Sequence, residues 1–496
     1  MNNIQLNSLL PSRKTMSSVW ILLCCVFCLG ILLRLVHQSM YLDGGIYATM
    51  SLNLAQGQGT PWALHFSDTL FPVFVEHPPL MLWLQAVCFS ILGDSIAVEK
   101  GFSLLTFFAC AGLLFKIWMR LNKDDSLMQQ AFPFALFLML IAGQMSWGYA
   151  NGLLENLLSI FSLWSILLII IAYDRPTPIH CAQRIGLMAA TGLFICLSIF
   201  TKGPVGLFPL VAPAIYWLIF RRPNLTSVVI DIFIILVILA IFLALLYSFT
   251  ASREALERYL AVQLIPSLRG DRGTLGGGFN VLRKIIAING YSIIITALAA
   301  FFGRRFVLSK ENQDLGRVRR KWALFFLTIG ISASLPIGLS PRVAYYYFNP
   351  SLLFYSLGFC LLAGPAIMTG LSQMGERASR YLWFASVLAL LISITVVIAN
   401  FGRPGEDEQT IKQAASINKF VCSGHADCKP IISACGDTVR NDQALLTYLL
   451  RRYKISLSHI DKVESAFLIA DESCRHISGY SDTTLDISPY FLLQRQ

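Results

Sequence analysis

The sequence predicts an all-α polytopic membrane protein of about eleven transmembrane helices plus juxtamembrane helices, followed by a small C-terminal α/β soluble domain. Three observations carry this prediction. The 496 residues are 55% hydrophobic and only 14% charged, with a mean hydropathy of +0.62, whereas soluble domains carry roughly 25% charged residues. Apolar stretches of about 20 residues recur along the chain, the length a helix needs to cross a bilayer and unlike the short alternating strands of a barrel. After Phe401 the composition turns abruptly polar.

The net charge of +11 does not point to nucleic acid. Most Lys and Arg stand in short clusters between apolar spans, where the rule that places positive charge on the cytoplasmic side accounts for them. Membrane lipids are therefore the expected surroundings, and no nucleic-acid partner is expected.

Residues 1–17 read as a cytoplasmic N-terminus, because Arg13 and Lys14 precede the first span, Val19–Val36. No small-residue cleavage site precedes Asp43, so this span is a retained anchor rather than a signal peptide. Residues 40–98 then form an external loop. Within it Pro79–Leu92, about 14 residues, is too short to cross comfortably and suits an interfacial helix.

With that segment kept out of the count, the spans run Lys100–Met119, Phe132–Trp147, Asn156–Ala172, Ile185–Phe200, Val205–Phe220 and Val228–Phe249. An external loop, 250–284, leads to Ile285–Phe302, Trp322–Leu339, Tyr346–Ala363 and Tyr381–Asn400. The dense basic clusters, Arg221 with Arg222 and Arg317 through Lys321 among them, then all fall in the cytoplasm. Counting Pro79–Leu92 as a span would put every one outside. The expectation is a membrane domain over 18–400 and an external, periplasmic α/β domain over 401–496, in a bacterial inner membrane.

In the tail, helical patterns near Glu408–Phe420 and Gln443–Tyr453 alternate with short apolar strands near Pro430–Ser433 and Ala466–Ala470. Of the twelve cysteines, Cys422, Cys428, Cys435 and Cys474 lie in this tail. Two disulfides are expected if it faces an oxidising compartment, and free thiols otherwise.

This topology leaves a short external inventory of charged residues: Asp43, Glu76, His77, Glu155, Lys202, several arginines of 250–284 including Arg258, Arg269 and Arg272, and Arg342 before Tyr345, Tyr346 and Tyr347. Cations are disfavoured in external loops, so binding an anion is an evident reason for them. Each residue also has a plainer reading. Lys202, on a Gly-Pro turn between two short spans, suits a snorkelling lysine or the partner of an anionic lipid headgroup. Asp43 suits a helix cap, and Glu155 an ordinary first-turn acid. Glu76 with His77 is too close a pair to make a closed metal site, so a divalent metal is weakly supported and no cofactor is required.

Five motifs in order resemble one known family. They are Asp43-Gly44-Gly45-Ile46-Tyr47-Ala48; Glu76-His77-Pro78-Pro79-Leu80 before an amphipathic helix; Leu154-Glu155-Asn156-Leu157; the turn Thr201-Lys202-Gly203-Pro204; and Arg342 before Tyr347-Phe348-Asn349-Pro350. Together they resemble the GT-C membrane glycosyltransferases, namely the aminoarabinose lipid A transferases and the protein O-mannosyltransferases, over roughly residues 18 to 400.

The resemblance implies a GT-C-like fold and transfer of a sugar from a polyprenyl-phosphate donor to a lipid A, glycan or protein acceptor on the outer membrane face. It implies Asp43 as catalytic base or acceptor-orienting group, with Glu155, matching an Asp in many members, as a second catalytic residue. His77, Lys202 and Arg342 would bind the donor phosphate, joined by Arg269 and Arg272. Tyr47, Glu76, Tyr345 and Tyr346 would line the substrate pocket. Position 77 is lysine in the aminoarabinose enzymes and histidine here, which makes phosphate binding there pH-sensitive. One displacement by one base implies inversion at the anomeric carbon. The competing class is a transporter or lipid flippase, which requires ionisable residues within its spans; the spans here look almost free of them.

Overall fold

The computed structural model describes residues 10–67, 72–175, 180–271, 279–307, 313–340, 343–422 and 428–496. In chain order its helices are α1 (Arg13–Leu35), α2 (Leu42–Ala55), α3 (Leu80–Leu92), α4 (Ile96–Leu121), α5 (Ser126–Ile141), α6 (Gly143–Ala150), α7 (Leu154–Tyr173), α8 (Cys181–Lys202), α9 (Pro204–Phe220), α10 (Leu225–Ser248), α11 (Thr250–Arg258), α12 (Phe279–Val307), α13 (Gln313–Ser334), α14 (Asn349–Ser372) and α15 (Glu376–Ala399). The tail adds α16 (Glu408–Cys422), α17 (Asp437–Asn441) and α18 (Gln443–Tyr453). The chain divides into two compact units.

The first unit comprises Met1–Leu35, Glu76–Pro78 and Ser103–Phe401. Among the described residues nine helices are long and apolar enough to cross a membrane, which makes this a multi-pass membrane protein. Two of the eleven expected spans do not fall on single long helices. Phe132–Trp147 falls on α5 and α6, which meet at a bend of 79°. There Ala142 is extended, and the Ser146 hydroxyl donates to the Leu140 carbonyl (2.8 Å), meeting an acceptor that the break exposes. Val205–Phe220 falls on α9, which begins as a 3₁₀ turn over Pro204–Val211, with Pro209 inside. A proline removes one donor and crowds the preceding turn, which disfavours a continuous α-helix here.

The segment expected to be an external loop, 250–284, is helical through Arg269. A π-helical stretch, Tyr259–Leu264, follows α11 and leads into Ile265–Arg269. The spans also hold one acid that the sequence reading passed over. Asp231 in α10 is fully buried, takes two hydrogen bonds from the Arg184 guanidinium (Nε to Oδ1 2.9 Å, Nη2 to Oδ2 2.6 Å) and one from the Tyr173 hydroxyl (2.6 Å). A carboxylate so paired is a structural ion pair. The core is rich in aromatic rings: Tyr216 stacks on Phe220 at 4.4 Å between centroids, and Trp322 lies 4.7 Å from Phe220. Between apolar helices in lipid such van der Waals packing drives association.

The second unit comprises Val36–Val75, Pro79–Phe102 and Gly402–Gln496. The polar tail is thus compact together with the stretch that follows the first span. Its sheet has the strands β3 (Ile431–Cys435), β4 (Ser456–His459), β5 (Phe467–Ala470), β6 (Tyr480–Ile487) and β7 (Tyr490–Arg495), after a two-stranded ladder of β1 (Gly59–Thr60) and β2 (Ala63–Leu64). The order is β4-β3-β5-β7-β6, with the first three parallel and the last two antiparallel. The helices expected at 408–420 and 443–453 are α16 and α18. The four tail cysteines form two disulfides, Cys422–Cys428 and Cys435–Cys474.

Helix α3 is 13 residues long. It buries Met81, Leu82, Gln85, Ala86 and Phe89, and leaves Leu84, Val87, Ile91 and Leu92 exposed. That one-sided apolar exposure fits the expected interfacial helix.

Arg451 of α18 ties this unit together. It is 6% exposed and donates to Glu99 Oε2 (2.9 Å from Nε, 2.7 Å from Nη2) and to Asp94 Oδ1 (2.7 Å), while Lys454 stands 3.2 Å from Asp94 Oδ2. Burial alone would raise the Asp94 carboxyl, but the guanidinium and ammonium outweigh it and hold it below the usual carboxylate range. A depressed folded-state value stabilises the fold above the unfolded value of about 3.9 and loses that contribution as pH falls through it. Protection of 79–102 against amide exchange should therefore hold from pH 7 to pH 5 and drop below about pH 4, and Asp94→Asn should flatten the drop; an equal drop in that variant would contradict this assignment.

Candidate active site

The turn after α8 builds the centre of the first unit. Helix α8 stops at Lys202 because Gly203 adopts φ +85° and Pro204 begins the 3₁₀ turn of α9. A Cβ on Gly203 would stand 2.2 Å from the Tyr259 hydroxyl, so only glycine fits this position. Lys202 is thereby held as the last residue of a rigid helix.

Its ammonium is partnered on two sides. Nζ donates to Glu155 Oε1, and the same nitrogen lies 4.6 Å from the ring centroid of Tyr347 and 5.4 Å from that of Tyr346. Glu155 stands in the first turn of α7, where the helix dipole favours an acid, and is 2% exposed. The rings come from the 3₁₀ turn Tyr345–Phe348 that leads into α14. Tyr346 packs edge-on to Tyr347 (4.8 Å) and lies 5.8 Å from Trp147. The aromatic faces and the carboxylate stabilise a cation that would otherwise be costly to bury.

Lys202, Glu155 and Tyr347 line a cavity of about 250 Å³, together with His77, Phe208 and Pro336. Part of its wall comes from the π-helical stretch, through Tyr259 and Gln263, and from Ser267 in the helical turn Ile265–Arg269 that follows. Burial pushes the Tyr259 hydroxyl up to about 12, so it stays a neutral hydrogen-bonding group. The cavity is mostly apolar, with its cation and few polar groups gathered on named side chains. That suits an amphipathic ligand with an anionic head.

No family model matches the chain, and no curated protein does. Solved structures do. ArnT from Cupriavidus metallidurans in the apo state aligns over 96% of this chain and 97% of its own, at 14% identity and a TM-score of 0.64. Its structure bound to undecaprenyl phosphate aligns with the same coverage and TM-score at 15% identity. The Archaeoglobus fulgidus oligosaccharyltransferase in the apo form covers 92% of this chain and 70% of its own, at 9% identity and a TM-score of 0.51. The chain has the GT-C fold.

Within this GT-C fold the sequence-derived candidates fall into separate groups. Glu155, Lys202 and His77 share one cavity. Tyr345 is 44% exposed beside Lys284 and lies outside the lining, as does Tyr346, whose ring supports Lys202. The lining tyrosine of the triplet is Tyr347. Glu76 is half-buried and Arg269 exposed, both outside the lining. Arg272 and Arg342 lie outside the described residues. Asp43 and Tyr47 belong to the second unit. Asp43 sits in the first turn of α2, whose N-cap position is Tyr41, and Tyr47 is buried. Among the described residues no three His, Cys, Asp or Glu side chains converge as metal ligands would.

The sequence reading missed Tyr259, Gln263 and Ser267. A signal was present: Leu256, Leu260, Leu264 and Leu268 recur every four residues, the spacing of one helix face.

The buried pair makes a testable claim on stability. Glu155→Gln or Lys202→Met alone should each cost about 3 kcal/mol by stranding a partner, and the double replacement should recover most of it. Thermal unfolding of the detergent-solubilised protein checks this; additive losses would contradict it.

Proposed function

We propose that this protein is an inverting glycosyltransferase that moves a sugar from a polyprenyl-phosphate donor to a lipid A, glycan or protein acceptor on the outer face of a bacterial inner membrane. The observation that supports it most is the Lys202 ammonium, set by Glu155 and Tyr347 on the wall of a mostly apolar cavity. The solved structure of Cupriavidus metallidurans ArnT with undecaprenyl phosphate bound supports a ligand of that chemistry.

In this reading the anomeric C–O bond to phosphate breaks as the acceptor hydroxyl attacks from the opposite side. The bonding electrons pass to the leaving phosphate. Lys202 stabilises the negative charge that grows there, in surroundings poor in water. His77, lining the same cavity, adds to it when protonated. Glu155 is better assigned to setting Lys202 than to taking a proton, because its carboxylate is already engaged by the ammonium. Asp43 keeps the role of acceptor base that the sequence resemblance implies, accepting the hydroxyl proton, and inversion follows from a single displacement. The tail disulfides support an external tail, since such bonds persist in oxidising compartments. A transporter reading has little to use in Asp231, which is buried and paired.

Two substitutions separate binding from chemistry. Lys202→Ala should weaken binding of undecaprenyl phosphate roughly tenfold or more, the value of a charge-assisted hydrogen bond of about 1.5–3 kcal/mol, as read by native mass spectrometry. Asp43→Asn should bind it normally and lose about 10²–10⁴-fold in transfer. Normal transfer by Asp43→Asn, or unchanged binding by Lys202→Ala, would overturn the respective role.

A further inference from the structure

The second unit contains a feature that this reaction alone does not call for: one face of tail helix α18 meets the segment that carries Asp43 both just ahead of α2 and at Gly45. Just ahead of α2, the Gln38 and Ser39 amides donate to the Arg403 and Pro404 carbonyls (2.8 and 2.9 Å). Arg452 Nη1 then donates to Gln38 Oε1 (2.8 Å) and Nη2 to the Gln38 carbonyl (2.7 Å). The Tyr448 hydroxyl accepts the Met40 amide (3.1 Å) and donates to Asp407 Oδ2 (2.6 Å).

Along α2 itself the approach is closer. A Cβ placed on Gly45 would stand 2.7 Å from Thr447 Cγ2, and Thr447 is buried. Gly45 lies two residues beyond Asp43. At the far side of α2, Ser51 Oγ donates to Gln85 Oε1 of α3 (3.0 Å), and Arg451 lies over the Phe89 ring of α3 at 5.3 Å. Helix α2 therefore has fixed neighbours at its start, on its Gly45 face and on its α3 side.

We infer that α18 is a positioning platform for α2, with Thr447 and Tyr448 as positioning residues that set the height and rotation of Asp43. The inference rests on the reading of Asp43 as the acceptor base, and deepens it by giving the C-terminal tail a part in the reaction. Gly45 is the sensitive point. Alanine is the better helix former by intrinsic propensity, so a loss on replacing Gly45 reports displacement by Thr447 rather than a weaker helix.

The test uses the full-length protein in lipid nanodiscs. A total envelope extract serves as donor and acceptor pool, released polyprenyl phosphate is the readout, and amide exchange over residues 42–55 is followed in parallel. Gly45→Ala should lower transfer about 10²-fold, the scale expected of a small misplacement at a reacting centre, and quicken exchange in 42–55. Gly45→Ala/Thr447→Ala should restore both, because removal of Cγ2 leaves the Thr447 Cβ at 4.0 Å, an ordinary contact. Wild-type behaviour of Gly45→Ala, or a double variant no better than the single one, overturns the proposal. Should Gly45→Ala fail to fold, Tyr448→Phe decides: kcat should fall with KM little changed, and an unchanged kcat overturns it. If the wild-type protein transfers no sugar, the reading of Asp43 falls, and the exchange arms of the same variants decide the platform alone.

Discussion

A lysine and a glutamate, 47 residues apart in sequence, hold each other at the wall of an apolar cavity. Neither would be stable there alone, since an isolated buried charge is costly and is retained only when paired. The helices that bring them together follow from this need. α7 presents Glu155 at its positive end, α8 stops at Lys202 on a glycine with left-handed backbone, and the turn before α14 lays two tyrosine rings against the ammonium. Three irregular stretches supply the surroundings of these residues: the proline-started α9, the bent α5–α6 pair and the π-helical stretch from Tyr259. Irregular backbone is tolerated at membrane depth where it is buried in protein or lines a cavity.

What the sequence showed clearly was set by local chemistry. Spans of regular apolar residues, the short α3, the Thr-Lys-Gly-Pro turn and the two tail helices all have signals a few residues long. The four tail cysteines left two disulfides or free thiols open, and the structure has the disulfides. What it hid depends on partners distant in sequence. Nothing near Lys202 announces that its charge is taken by Glu155, and nothing near Tyr346 says that Tyr347 is the residue facing the cavity. Asp231 passed unnoticed because its partners, Arg184 and Tyr173, stand on other helices. The helical 250–269 segment was missed for another reason: its charged residues masked a four-residue leucine repeat. Of the residues that the resemblance implies as phosphate-binding, Lys202 and His77 share a cavity, and Arg269 stands outside it.

The larger surprise lies in the second unit. A change in composition at Phe401 suggested a separate domain, yet the tail is compact with residues 36–75 and 79–102. Composition cannot reveal such a union, since it rests on single residues, Arg451 with Asp94 and Glu99 and Thr447 against Gly45. This gives the tail a mechanical meaning. Tail helix α18 packs against α2 through Thr447 and Gly45, and α2 carries Asp43, the residue proposed as the base.

The central claim is that this chain transfers a sugar from a lipid phosphate. Mass spectrometry of envelope glycolipids and glycoproteins, from cells with the gene deleted and then restored, tests it most directly. The account predicts that one sugar disappears from one class of acceptor and returns with the wild-type gene but not with Lys202→Ala. An unchanged envelope on deletion, or full restoration by Lys202→Ala, would contradict it.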